Sequence, residues 1–92
     1  MTPVIFRKFR NGDVIALLPD CPANPGNVLS YMHIGQHGEA SYPHILNTTV
    51  LSEEGEYTPL LAELNSIGYD DLRVYSRIQR QWLESAWYGR NE

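Results

Sequence analysis

Apolar and polar positions alternate from Pro3 to Phe9, break at Asn11-Gly12, and resume as the apolar run Val14-Ile15-Ala16-Leu17-Leu18. Alternation rich in β-formers predicts a strand, and Asn-Gly between two such runs predicts a hairpin closed by a type I′ turn. Arg10 then pairs across that turn with Asp13. The second run is apolar throughout, which predicts a central strand covered on both faces. Pro19, Pro22 and Pro25 mark the stretch from Pro19 to Asn27 as a loop, because proline cannot pair in a central strand. Val28 to Ile34 predicts a third strand, with Val28, Ser30, Met32 and Ile34 on one face and Leu29, Tyr31 and His33 on the other. Gly35 to Pro43 reads as a second loop. Ile45 to Leu51 fits a short strand or an irregular connection, with Thr48, Thr49 and Val50 favouring the strand.

The period then changes. Ser52 offers an N-cap, and Glu53, Glu54 and Glu56 complement the positive end of a helix. Pro59 lies too deep for one continuous helix, so the pattern predicts a turn at 53–57 and a helix from Thr58 with Pro59 at its first position. Leu60, Leu61, Leu64 and Ile67 form its apolar stripe, and Gly68 its C-terminal cap. Leu72 to Ser76 predicts a last strand. From Arg77, the positions Ile78, Trp82, Leu83, Ala86 and Trp87 recur at helical spacing and predict a second helix that ends at Gly89. The expected fold is α+β: an antiparallel sheet of three to four strands, one packed helix and a C-terminal helix.

Composition narrows the class. The chain has 92 residues, enough for one domain with a small core. Its single cysteine, Cys21, rules out an internal disulfide framework. No stretch approaches the roughly 20 apolar residues that span a bilayer. The charges at Arg7 and Lys8 follow a short apolar run, the wrong order for a signal peptide, so a soluble cytoplasmic protein without membrane contact is expected. Arg7, Lys8 and Arg10 open the chain and Arg73, Arg77, Arg80 and Arg90 close it, while Asn11 to Asp71 carries acids and no Lys or Arg. If the first and last strands are neighbours, the basic residues gather into a band beside an acidic surface, a dipole that steers charged partners.

Four separated segments carry a resemblance: Phe6-Arg7-Lys8-Phe9, Gly12-Asp13-Val14-Ile15-Ala16-Leu17, Ser30-Tyr31-Met32-His33-Ile34-Gly35-Gln36-His37-Gly38, and Ser66-Ile67-Gly68-Tyr69. In order and spacing the chain resembles the small uncharacterised proteins of phages, conjugative elements and their bacterial hosts. Those share FRKF, G(D/E)VIAL, MSYxHxGQHG and SIGY motifs. The resemblance covers residues 4 to about 75, a family-like core (1–76) of a single domain (1–92), and leaves 77–92 as a C-terminal helical extension. It implies a habitat in mobile elements and no particular chemistry.

Candidate chemistry concentrates in the histidine segment. Tyr31, His33, Gln36, His37 and Tyr42, with Gly35 and Gly38 letting the backbone approach, suit a small polar ligand such as a nucleotide. His33 and His37 with His44 or Cys21 have donor types for zinc, but their spacing fits no finger or ribbon, so no metal or cofactor is assigned. Ser30 or Cys21 with His33 or His37 and Glu39 poses a nucleophile and base without a nucleophile elbow. Arg7, Lys8 and Arg10, interleaved with Phe6 and Phe9, suit single-stranded nucleic acid, against which the net charge of −4 weighs. Trp82 and Trp87 beside arginines suit a protein partner or self-association, with packing of Trp82 inside the chain as the alternative. The leading expectation is a non-enzymatic binding protein, an accessory factor that captures or inhibits a host component. The alternatives are a small metal- or nucleotide-dependent enzyme using Ser30 to His44, and a nucleic-acid module using the N-terminal hairpin.

Overall fold

The computed structural model describes residues 1–21, 23–33 and 35–88, the side chains of 85–88 excepted. Its elements run β1 (Thr2–Phe9), β2 (Val14–Leu18), β3 (Asn27–Met32), β4 (Gln36–Ser41), α1 (Tyr42–Thr48), β5 (Thr49–Leu51), α2 (Glu54–Ser66), β6 (Leu72–Tyr75) and α3 (Arg80–Tyr88). The fold is α+β, as the patterning predicts. Among the described residues the sheet has six strands where three to four were expected, in the order β4-β3-β2-β1-β5, with β6 also on β1. All pairings are antiparallel except β1 with β6, which is parallel and sets Val4 beside Val74. Along one edge of β1, β5 pairs with residues 7–9 and β6 with residues 2–5.

Alternation sends side chains to two cores. Ile5, Ile15, Leu17 and Val28 face α1 and α3, where Tyr42, Ile45 and Trp82 complete one cluster. Val4, Phe6, Ala16, Leu18 and Tyr31 face α2, where Leu60 and Leu64 complete the other. With helices on both sides, β2 is buried from Ile15 to Leu18, the central strand that its unbroken apolar run predicts.

The first hairpin stands where Asn11-Gly12 places it, but its turn is wider than type I′. Gly12 N–H donates to the Phe9 carbonyl (2.9 Å) and Phe9 N–H to the Asp13 carbonyl (2.8 Å). Gly12 has φ +97°, whereas Asn11 keeps a negative φ. This is a three-residue loop with a glycine bulge. Asp13 bonds Asn11 (Asn11 Nδ2 to Asp13 Oδ2, 3.1 Å; Asp13 N–H to Asn11 Oδ1, 3.0 Å) and not Arg10. Open space surrounds Gly12, so Gly12→Val meets no clash and only the backbone penalty. The expected loss is about 1–2 kcal/mol, read as a lower melting temperature. An unchanged melt would contradict the left-handed turn.

β4 replaces expected loop, and α1 (Tyr42–Thr48) replaces the end of that loop and the first half of the strand or connection expected over Ile45 to Leu51, of which Thr49–Leu51 is strand. Gln36–Ser41 is an edge strand, exposed over most of its length, so it shows no apolar alternation. Ser41 caps α1 by accepting from His44 N–H, and Pro43 sits in the first turn, where its missing N–H costs nothing. α2 is continuous through Pro59 and starts at the Glu53 cap, one residue after the expected Ser52. Glu53 N–H donates to Glu56 Oε1 (2.8 Å), and Thr58 Oγ1 donates back to the Glu54 carbonyl (2.6 Å). The last helix begins at Arg80, not Arg77. Its expected end at Gly89 lies outside the described residues.

Candidate functional site

Gly68 ends α2 with φ +115°. Tyr69 N–H reaches back to the Leu64 carbonyl (3.1 Å) and Gly68 N–H to the Asn65 carbonyl (3.4 Å), the paired bonds of a Schellman cap. This cap folds Tyr69 back against the α2-side core and leaves Ile67 exposed beside it. Opposite stands the β3–β4 hairpin, whose register places Tyr31 across from His37. Tyr31, Gly35 and His37 from the hairpin, with Ile67, Gly68 and Tyr69 from the cap, line an open cleft of about 430 Å³.

Its base is a knot of polar groups around Glu63, on the last turn of α2. One carboxylate oxygen accepts from the Tyr31 hydroxyl, and the other bonds His33 Nδ1. Gly35, at φ +68°, turns its N–H onto the Tyr31 oxygen at 2.9 Å. Tyr31 thus donates to the helix and accepts from the hairpin turn, which joins the two walls. Above it, His37 stacks edge-on against the Tyr31 ring (centroids 4.7 Å, 72°). His37 Nε2 and the Tyr69 hydroxyl are bonded at 3.1 Å, with the imidazole tautomer deciding which donates.

The Tyr31 hydroxyl, then His33, hold the Glu63 carboxyl below the usual carboxylate range. The same bond to Glu63, then burial, pushes the Tyr31 phenol up. Burial, then the nearby Cys21 thiol, raises Tyr69. Because Glu63 is depressed in the fold, its contribution to stability is present above the ordinary carboxylate pKa of about 4.3 and is lost as pH falls through the folded value. Tyr31 is raised, so its contribution is present below about pH 10 and lost as pH climbs through its folded value. Glu39, held down by Asn27 and Asn24, and Glu56, held down by Lys8, share the acid slope. Glu63→Gln should therefore flatten part of the fall in melting temperature below about pH 4. Superimposable profiles for variant and parent would show that Glu63 anchors nothing.

The structure assembles some of the expected site residues and separates others. Tyr31, His33 and His37 come together. Gln36 is exposed and points to the opposite face from His37, its neighbour on the strand. Tyr42 is buried in the α1 and α3 core, across the sheet from the cleft, so it cannot share a ligand with Tyr31. Ser30 pairs with Gly38 and faces away from His37, because successive strand residues alternate faces. His44 lies on α1, exposed on the far side. Among the described residues, no three His, Cys, Asp or Glu side chains group as metal ligands.

The basic hairpin is occupied internally. Arg7 donates from Nε to Thr49 Oγ1 (2.9 Å) and from its terminal nitrogen to the Thr49 carbonyl (2.8 Å), fastening β5 to β1. Lys8 is ion-paired with Glu56. Phe6 is buried and stacks on Tyr57 (4.4 Å, 7°), and Phe9 packs against the other core. Only Arg10 of the three projects freely into solvent at the turn. Trp82 is 6% exposed and meets Tyr75 edge-on at 5.2 Å, so it is core. The side chain of Trp87 lies outside the described residues.

Sequence reasoning missed Glu63, Ile67 and Tyr69 as partners of the histidine segment. The signal was present in Ser66-Ile67-Gly68-Tyr69, whose glycine predicts a cap and hence a reversal that brings the next aromatic back over the sheet. No helix among the described residues is long and apolar enough to cross a membrane. No family model, curated protein or solved structure matches the chain.

Proposed function

We propose that this chain is a non-enzymatic binding protein that receives a planar polar group in the cleft between the β3–β4 hairpin and the α2 cap. The observation that carries the reading is the anchoring of both walls on one carboxylate. Glu63 takes the Tyr31 hydroxyl and His33, and Tyr31 takes the Gly35 N–H. Such a cleft is formed before any ligand arrives and loses little freedom on binding. Its aromatic walls and the exposed Ile67 supply contact area, while His37 and Tyr69 supply directional hydrogen bonds. The resemblance to small phage and mobile-element proteins suggests the biological setting, an accessory factor in the cytoplasm that captures or inhibits a host component.

Catalysis draws less support, because Ser30 and His44 face away from His37 and the Glu63 carboxylate is committed to its own hydrogen bonds. Nucleic-acid binding by the hairpin draws less again, since Arg7 and Lys8 are spent on Thr49 and Glu56.

The test is a two-dimensional NMR screen of purified protein against nucleosides, nucleotides and aromatic fragments, paired with affinity capture from host lysate. Shifts clustered on Gly35, His37, Ile67, Gly68 and Tyr69, lost together with the captured component in His37→Ala and Tyr69→Ala, would support the reading. Captured material retained by both variants would overturn it.

A further inference from the structure

The cleft between the β3–β4 hairpin and the α2 cap is negatively biased by its surroundings. Ile67 and Gly68, on its wall, are the residues at which α2 ends, so the cleft lies at a helix C-terminus, where the backbone dipoles sum to a partial negative charge. Helices commonly place a lysine, arginine or histidine there, yet the last turn of α2 holds no basic residue. Glu63 adds a full charge at the base of the cleft, where hydrogen bonds from Tyr31, then His33, keep it ionised. Of its partners, Tyr31 and Gly35 are neutral, and only His33, when protonated, offsets that charge. Asp70 follows Tyr69 directly, and Glu39 lies on the same face of β4 as His37.

No lysine or arginine of the chain answers this field. None occurs from Asn11 to Asp71. Lys8 is paired with Glu56 at the opposite end of α2, and the terminal amino group is paired with Asp71. Arg73 lies over Tyr75, on the other face of the sheet. Resting on the reading of this cleft as the site for a planar polar group, we propose that the group is a guanidinium, the side chain of an arginine on a protein partner. A guanidinium is planar, stacks on an aromatic face such as the partly buried Tyr69, and brings five N–H donors and a positive charge to a helix end that lacks one. A phosphate has the wrong sign for a site between carboxylates and a helix C-terminus, so the cleft disfavours nucleotides. Free arginine carries its own carboxylate into the same field, whereas an arginine within a polypeptide does not. The charge layout therefore selects the side chain of a partner.

Binding of small probes at pH 8, where imidazoles ordinarily carry no charge, tests the proposal. Amide shifts of the full chain are followed as N-acetyl-arginine methylamide is added. The comparison probes are its lysine counterpart, its citrulline counterpart (the same planar shape without the charge), free arginine, adenosine and adenosine monophosphate. The arginine derivative should move Gly35, His37, Gly68 and Tyr69 and bind about tenfold more tightly than the citrulline derivative, an advantage that shrinks as salt rises. Asp70→Asn should reduce that advantage and leave citrulline binding unchanged. Free arginine should bind more weakly than its blocked form, and adenosine monophosphate more weakly than adenosine. Citrulline or lysine matching arginine, or the monophosphate binding better than adenosine, would overturn the guanidinium and leave the cleft standing as a site for another planar ligand. Free arginine matching the blocked form would overturn the protein partner. If no probe moves these amides, the cleft reading falls and this inference with it.

Discussion

Trp82→Ala should lower the stability of the fold by about 3–5 kcal/mol, the usual cost of truncating a buried aromatic. Trp82 closes the core formed by Ile5, Ile15, Leu17 and Val28, and its ring meets Tyr75 edge-on. Removing it takes away that contact and leaves a cavity that α3, a short helix held by this face, cannot refill. Domains of this size hold on the order of 5–15 kcal/mol in total, so much of the margin disappears. At about 4–8 °C per kcal/mol, the melting temperature should fall by well over 10 °C. Light scattering of the same variant separates core from interface. A protein that melts as the parent does, but has lost a partner, would return Trp82 to the surface role that its arginine neighbours suggest.

Leu64→Ala should cost about 2–5 kcal/mol. Leu64 is fully buried between α2 and the sheet, beside Leu60, Phe6 and Leu18. It also adjoins Glu63 and supplies the carbonyl that caps the helix through Tyr69 N–H. The cavity therefore opens beneath both cleft walls. Amide hydrogen exchange at Gly35 and Tyr69 should rise more than at the β1–β2 hairpin, whose other face stays packed on α1 and α3 through Ile5, Ile15 and Leu17. Uniform acceleration across the domain would mean that α2 and the sheet unfold as one unit and that the cleft has no local dependence on Leu64.

The legible part of this fold was the part with a strong period or a strong punctuation mark. β1, β2 and β3 alternate or run apolar, and Asn11-Gly12 and Gly68 mark real reversals. β4 was not legible because an edge strand exposed over most of its length has no apolar alternation to display. Its order comes from pairing with β3, a non-local cause. α1 hid behind Pro43, although Ser41 followed by an early proline is a helix start when read for capping. Pro59 misled in the other direction, since α2 runs on through it from a capping box at Glu53 and Glu56. The histidine segment was visible as a site, but its partners were not. Glu63 lies thirty-two residues from Tyr31 and meets it only through the docking of α2, which sequence spacing does not encode. Arg7 and Lys8 resemble a free basic surface in the sequence because the strand and the helix that consume them, β5 and α2, lie more than forty residues away.

The position of β1 bears on how the chain folds as it is made. Its pairing with β2 is local and can form early, but its other edge waits for β5 and then for β6, which ends at Tyr75. At about 5–20 residues per second, the chain from Phe9 to Tyr75 takes roughly 3–13 s to emerge. Until Ser66 has emerged, Val4 and Phe6 stand on a strongly apolar ribbon with one edge open and no α2 to cover them, and Ile5 waits longer still for α3. The nascent hairpin is thus an aggregation-prone template in the ribosome's company, and the last strand to arrive is the one that retires it.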